Sequence, residues 1–265
     1  MKDSECVAFL QWALPRLRLR WAGYRKVRRQ VCKRVDRRIR DLGLGGIEEY
    51  RARLNVDPAE WVVLDDLTRI TISRFFRERD VFTDLCETAL LELHALAAPD
   101  PVRIWCAGCA GGEEAYTLAI AAYQQEIPVR ILGTDLDDRQ LSRAREASYS
   151  AGSLKELPRA WRASAFEPRG DELFLKNEFR TSVDMVRQDI RQEMPAGRFH
   201  LILCRYMAFM YFDTQLQCEI AERLLERTVP EGLVVLGKHE SWPADVHGVV
   251  EVESGLRIYR RASFT

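Results

Sequence analysis

The stretch that most constrains this chain is Val102-Arg-Ile-Trp-Cys-Ala-Gly-Cys-Ala-Gly-Gly-Glu-Glu-Ala-Tyr-Thr-Leu-Ala-Ile120. A short apolar run leads into three glycines, Gly108, Gly111 and Gly112, and then into a helical pattern. In that pattern Ala115, Leu118, Ala119 and Ala122 recur at three- and four-residue steps. Strand, glycine turn and helix in this order make a loop that admits a ligand to bare backbone and aims unpaired N–H groups at it. Many α/β turns carry glycine for packing alone, so the loop by itself leaves both readings open.

Val129-Arg-Ile-Leu-Gly-Thr-Asp135 reads as a second strand ending in an acid, about 24 residues beyond the loop. An acid so placed accepts hydrogen bonds from both ribose hydroxyls of a nucleotide cofactor. A dinucleotide site leaves the helix start open for pyrophosphate. Here Glu113 and Glu114 stand there; they suit the helix dipole but repel phosphate. A ligand with a cationic end fits better, which points to S-adenosylmethionine (SAM), with its ammonium and sulfonium.

Three further strings complete a pattern: Ile72-Ser-Arg-Phe-Phe-Arg-Glu78, Gly133-Thr-Asp-Leu-Asp137, and Cys204-Arg followed by Tyr211-Phe-Asp213. With the glycine loop, these resemble the CheR-type chemotaxis receptor methyltransferases, and they fall in that family's order from about residue 25 to the C-terminus. The resemblance implies SAM-dependent methylation of glutamate carboxylates on a chemoreceptor-like protein. It implies catalytic roles for Arg77 and Tyr211. It also implies cofactor contacts from Thr71, Ser73, Arg77, Gly108, Gly111, Glu113, Asp135, Asp189, Ile190, Tyr206 and Met207. Thr71 and Ser73 stand where the family commonly shows Asn and Thr, and both retain a hydroxyl for hydrogen bonding. Tyr206 stands where the family commonly shows Asn, which predicts a reshaped pocket wall.

The expected fold is α/β: a Rossmann-like, seven-stranded SAM-methyltransferase sheet with a small N-terminal all-helical domain. The domains are placed at 1–96 and 97–265, divided at Ala97-Ala-Pro-Asp-Pro101. Strands are expected near 102–107, 129–134, 183–188, 199–204 and 233–238, alternating with helices. A terminal antiparallel hairpin over 249–252 and 256–260, joined at Ser254-Gly255, distinguishes this sheet from a plain dinucleotide fold. A small hairpin is expected within 171–182, where the resembling enzymes carry a receptor-docking subdomain.

In the N-terminal part, Pro15 interrupts a helical run over 7–20. A helix over 24–41 carries Val27, Val31, Val35 and Ile39 as a stripe at four-residue spacing. Gly43 and Gly45-Gly46 end it. Ile47 to Leu54 forms a short helix, and Asp57-Pro58 caps the next.

The net charge of zero conceals an asymmetry: Arg16 to Arg40 holds twelve Lys or Arg and one acid, Asp36. Such a block is a solvated face or the footprint of an acidic or nucleic-acid partner. Arg28, Lys33, Arg34 and Arg37 are the expected guides for the acidic helical surface of a receptor. Seven scattered cysteines point to reduced thiols. Cys106-Ala-Gly-Cys109 reads as small residues at a turn rather than a zinc or redox motif. No apolar run is long enough to span a membrane, and the N-terminus has no signal-peptide layout. A cytoplasmic monomer is expected, with no metal.

Methylating a carboxylate needs no strong base, because the oxygen is already ionised at neutral pH. What it needs is alignment and exclusion of water, and an arginine that holds the carboxylate by two hydrogen bonds serves this. Arg77 is the candidate, although Phe75-Phe76-Arg77 also reads as two core aromatics and a surface arginine. Tyr211-Phe212 equally suits core packing, with Asp213 as the cap of the next helix. Asp189 suits either the adenine amino group or a plain turn. Lys238-His-Glu-Ser241, after the fifth strand, can face the acceptor side. Two other functions stay open: methylation of RNA or a small molecule, for which the basic helix speaks, and a SAM-sensing module without catalysis, for which Tyr206, Thr71 and Ser73 speak. Against methylation of base amino groups, no Asn/Asp-Pro-Pro-Tyr string follows 199–204.

Overall fold

In the computed structural model, residues 2–253 and 255–263 are described. The chain forms two compact units, Met1–Thr71 with Met210–Gln217, and Ile72–Phe209 with Cys218–Thr265.

The first unit is helical: α1 (Asp3–Ala13), a 3-10 turn over Leu14–Leu17, α2 (Trp21–Tyr24), α3 (Arg28–Asp41), α4 (Ile47–Val56) and α5 (Pro58–Thr68). Pro15 falls in the 3-10 turn. The helix expected over 24–41 is divided by a turn in which the Val27 N–H donates to the Tyr24 carbonyl at 3.1 Å, so Val27 leaves the stripe. Val31, Val35 and Ile39 remain buried, among Phe9, Leu10, Tyr50, Leu54 and Leu64. Asp57 caps α5 as expected, accepting from the Ala59 N–H at 3.0 Å with Pro58 in the first turn. A buried carboxylate, Glu60, is satisfied by both Arg38 (2.7 Å) and the Tyr50 hydroxyl (2.8 Å). That pairing is what allows an acid in this core.

The cysteines are not all reduced thiols. Cys6 of α1 and Cys32 of α3 form a disulfide, their Cα atoms 5.9 Å apart. The two helices pack through apolar stripes that bring these positions within bridging range, which sequence spacing does not reveal. Cys86, Cys106, Cys109, Cys204 and Cys218 are free thiols.

The second unit is a three-layer α/β arrangement. It opens with α6 (Arg79–Asp84), one π turn (Leu85–Ala89) and α7 (Leu90–Ala97). There follow β1 (Val102–Ala107), α8 (Glu113–Gln124), β2 (Val129–Asp135), α9 (Asp138–Glu146), β3 (Ser148–Ser150), α10 (Arg159–Ala165), β4 (Phe166–Arg169), β5 (Glu172–Leu175) and β6 (Val183–Arg187). The chain closes with β7 (Phe199–Cys204), α11 (Ala208–Tyr211), α12 (Thr214–Arg227), β8 (Thr228–Val235), β9 (Val249–Glu253) and β10 (Ile258–Arg261). Within α11 and α12, Met210–Gln217 belongs to the first unit.

The main sheet runs β6-β2-β1-β7-β8-β10-β9. It is parallel except for β10, which pairs antiparallel with both β8 and β9. This is the expected seven-stranded, Rossmann-like SAM-methyltransferase sheet. Central strands covered on both faces must be continuously apolar: Ile104, Trp105, Leu201, Ile202, Val234 and Val235 are all buried. Of the expected hairpin joint, Ser254 lies outside the described residues. The small hairpin sits at 166–175 rather than within 171–182, with β3 as its third strand in the order β3-β5-β4. Pro168, which lacks an N–H, is accommodated because β4 is an edge strand.

Candidate functional site

Strand order reverses between β1 and β7: the chain proceeds outward to β2 and β6 on one side, to β8 and β10 on the other. Ligands bind at such switch points, beyond the carboxyl ends of the strands. The residues following β1 and β7 are Gly108 and Arg205.

The loop after β1 is anchored to the end of β2. Gly108 (φ +72°) and Cys109 donate N–H groups to the Thr134 carbonyl at 2.8 and 2.9 Å. Asp135 accepts from the Ala110 N–H at its Oδ2 and from the Asp137 N–H at its Oδ1, both at 2.9 Å. Burial pushes the Asp135 carboxyl up, against the pull of these N–H groups. Gly112, the first residue before α8, sits at φ +83°, and a Cβ there would come 2.8 Å from Met185. The backbone conformation therefore favours glycine. The Gly111 carbonyl accepts from the Tyr149 hydroxyl at 2.7 Å. Glu113 is fully buried and pairs with Arg143 through one oxygen; its Oε2 has no hydrogen-bond partner among the described residues.

The segment before α6 is fixed by its two aromatics. Phe75 packs edge-on against Tyr149 (4.8 Å) and Phe166 (5.3 Å), and its N–H donates to the Ser153 carbonyl at 3.0 Å. Phe76 packs edge-on against Trp161 at 5.6 Å. Phe76 and Glu78, on either side of Arg77, both have positive φ, +57° and +65°. The Arg77 guanidinium lies 4.0 Å from the centre of the Tyr206 ring and donates to the Ile72 carbonyl at 2.5 Å.

Between these two segments lies a charge cluster that sequence reasoning missed. The Arg205 side chain is fully buried and donates to Glu78 at 2.6 Å and to Glu114. Burial pushes the Glu114 carboxyl up, opposed by the Arg205 charge. The Tyr206 hydroxyl also donates to Glu78, and the Lys238 N–H donates to it at 3.2 Å. Glu240, 2% exposed, accepts from the N–H groups of Tyr206 and Gly237, each at 2.7 Å. Burial pushes its carboxyl up to about 7. No periodicity marks such a cluster; the one available signal was acids in the strings Arg77-Glu78 and Lys238-His-Glu240.

The remaining expected residues divide. Met207 lies over Gly108, its Sδ 2.8 Å from where a Cβ would project. Both Asp189 carboxylate oxygens accept from Arg191, at 3.0 and 2.9 Å, the geometry of a turn residue. Ile190 is buried beside it. At the end of β6, Gln188 has a buried Oε1 with no partner among the described residues, an acceptor that sequence reasoning overlooked. Ser73 is half-buried in the second unit, whereas Thr71 and Tyr211 belong to the first. The Tyr211 ring lies 5.0 Å from Tyr24, and its carbonyl accepts from the Arg20 N–H at 2.8 Å. Asp213 caps α12, accepting from the Leu216 N–H at 2.7 Å.

A family model described as CheR methyltransferase, SAM binding domain, matches residues 71–256. The chain belongs to the CheR methyltransferase family. It is accordingly a SAM-dependent methyltransferase. It is 30% identical over 242 residues to chemotaxis protein methyltransferase 2 of Pseudomonas aeruginosa, covering 88% of this chain and 84% of that protein. A probable chemotaxis protein methyltransferase of Rhizobium etli is 29% identical over 244 residues, covering 87% and 90%. The chemotaxis protein methyltransferase of Salmonella typhimurium is 29% identical over 227 residues, covering 81% and 76%. Among the described residues no helix is long and apolar enough to cross a membrane. The donor set fits SAM: a loop at positive φ beside a partly exposed acid, with unpartnered acceptors at Glu113 and Gln188.

Proposed function

We propose that this CheR-family chain methylates glutamate side-chain carboxylates of a chemoreceptor-like protein, giving methyl esters. The observation that carries the reading is Arg77: a guanidinium anchored by two packed aromatics and laid over Tyr206 at the end of β7. SAM, when bound, supplies a methyl on a sulfonium, which an ionised oxygen displaces directly to leave a neutral thioether.

The protein's share is binding, orientation and exclusion of water. Asp135 receives the ribose hydroxyls, on the lone pairs that Ala110 and Asp137 leave open. Gly108, Gly111, Met207 and Ile190 shape the walls, and Glu113 offers negative potential at the start of α8. Ser73 serves the methionine carboxylate through its hydroxyl; Asp189, beside the Gln188 Oε1 that has no partner among the described residues, stands on the adenine side. Arg77 orients the incoming carboxylate with paired N–H donors. No residue need remove a proton.

The partner is recognised through α3. Arg28 and Arg34 are committed internally, Arg28 to Asp3 at 3.1 Å and Arg34 to the carbonyls of Leu67 and Arg69. The open face is the exposed row of Arg29, Lys33 and Arg37 at helical spacing, with Lys26 exposed in the turn before it. It suits an acidic helical surface better than nucleic acid, and it acts on a chain that works as a monomer in the cytoplasm.

The test is transfer of label from methyl-labelled SAM to a receptor fraction, followed by release in mild base, which marks an ester. Arg77→Ala should lose a charge-assisted contact made in the reactive geometry. That corresponds to about 1.5–3 kcal/mol, or roughly ten- to a hundredfold in turnover, with SAM affinity little changed. Base-stable product, or full turnover in Arg77→Ala, would remove this reading.

A further inference from the structure

We infer that Tyr206 is a positioning residue for Arg77: its ring lies against the guanidinium and its hydroxyl is tied to Glu78, so that it sets how Arg77 meets the acceptor carboxylate. The inference rests on the catalytic reading of Arg77 above.

The first observation is backbone strain. Tyr206 sits at φ +57°, a conformation that side chains with a bulky ring rarely adopt and that asparagine tolerates well. An aromatic residue held there calls for a reason found in its surroundings. Phe76 and Glu78 share the left-handed region, so three such residues converge on Arg77. They are held by packing and hydrogen bonds rather than by local preference.

The second observation is what the side chain does. Its hydroxyl donates to Glu78, the residue next to Arg77 in the chain. Glu78 is the common acceptor for Tyr206, Arg205 and the Lys238 N–H, so the ring is bonded to a fixed point. Its backbone N–H is fixed as well, donating to Glu240 at 2.7 Å. The ring also lies close to Gly237, where a Cβ would fall 2.8 Å from two ring atoms. A ring braced by Gly237 and Glu78 has little freedom, and the Arg77 guanidinium rests on it at 4.0 Å.

The third observation concerns what is left to Arg77. One Nη is spent on the Ile72 carbonyl. A guanidinium that stacks on an aromatic face keeps its in-plane N–H groups for a carboxylate. Contact of the guanidinium with the ring at 4.0 Å restrains its position, and a displacement reaction depends on such alignment.

The experiment compares Tyr206→Asn, Tyr206→Phe and the double variant Arg77→Ala with Tyr206→Asn, measuring kcat, KM for SAM and for the acceptor, and thermal unfolding. Asparagine fits the left-handed backbone, so Tyr206→Asn should unfold at the same temperature or higher. Its kcat should nevertheless fall about tenfold, with KM for SAM moved less than about threefold. Tyr206→Phe, which keeps the ring but not the bond to Glu78, should fall between. In the Arg77→Ala background, Tyr206→Asn should change kcat by less than about twofold, because the effect runs through Arg77. An equal tenfold loss in both backgrounds would overturn the inference while leaving Arg77 catalytic. A raised KM for SAM with kcat unchanged would overturn it too, making Tyr206 a cofactor contact. Full turnover in Arg77→Ala alone would instead remove the underlying reading.

Discussion

Replacing Glu240 with glutamine removes an ionisable group from a place where ionisation is costly and leaves the shape nearly unchanged. The carboxylate is 2% exposed. One oxygen accepts two backbone N–H groups at 2.7 Å, and the other has no hydrogen-bond partner among the described residues. A glutamine oxygen can accept the same two bonds. Burial pushes the Glu240 carboxyl up to about 7 from an ordinary value of 4.5, against the pull of these N–H groups and of Arg205. Glu114 adds a smaller push in the same direction as burial.

The folded state therefore holds a proton that the unfolded chain has already released between these two values. Glu240 contributes its full stability below the unfolded value; that contribution is lost as pH rises toward about 7 and stays lost above it. At about 1.4 kcal/mol per pH unit, the gap amounts to roughly 3 kcal/mol. Urea unfolding of the wild type and Glu240→Gln, from about pH 4.5 to about pH 8, isolates this group from the other titrating residues. The difference between the two curves should swing in favour of the variant by roughly that amount and become flat above about pH 7. Parallel curves across the interval would refute the reasoning.

Two further perturbations probe the charged parts of the molecule. Arg205→Leu leaves Glu78 and Glu114 without their buried cation, and should cost about 3–5 kcal/mol in urea unfolding; a loss below about 1 kcal/mol would show the cluster to be well solvated. Reversing the charges of Lys33 and Arg37 should lower the acceptor kcat/KM several-fold at low salt and little at high salt, with SAM affinity unchanged. Tight, salt-sensitive RNA binding abolished by the same reversal would favour the nucleic-acid reading instead.

What the sequence made legible is what repeats or punctuates. The run Val102–Ala107, the glycines after it and the apolar spacing of α8 placed the central strand and its loop, because burial on both faces and positive φ each leave a compositional mark. The caps at Asp57 and Asp213 were legible because a short acceptor before a helical run has one local task. Where local signals conflicted, boundaries moved. β8 begins at Thr228 rather than near 233, since Pro230-Glu231-Gly232 resembles a turn. The strand accommodates it through a register shift opposite Phe199 and Leu201, with Glu231 at φ +62°. The hairpin lies earlier than expected, with Gly170-Asp171 as its tight turn between β4 and β5.

The charge cluster was illegible for a different reason. Arg205, after β7, meets Glu78, before α6, across 127 positions and Glu114, in α8, across 91, and ion pairs between separate elements have no period to detect. The topology brings Glu114 and Arg205 together, because β1 and β7 lie side by side and release their chains in the same direction. Tyr206 shows how the two kinds of information combine. In sequence it was a departure from the family's usual asparagine, and in structure it is an aromatic ring held where asparagine would be comfortable. A local preference overridden at a strand end, by bonds to Glu78 and Glu240 and a stack under Arg77, is the pattern expected where a fold gives up local consistency for function. In β1, from Val102 to Ala107, burial and pairing agree with the apolar run that marks the strand.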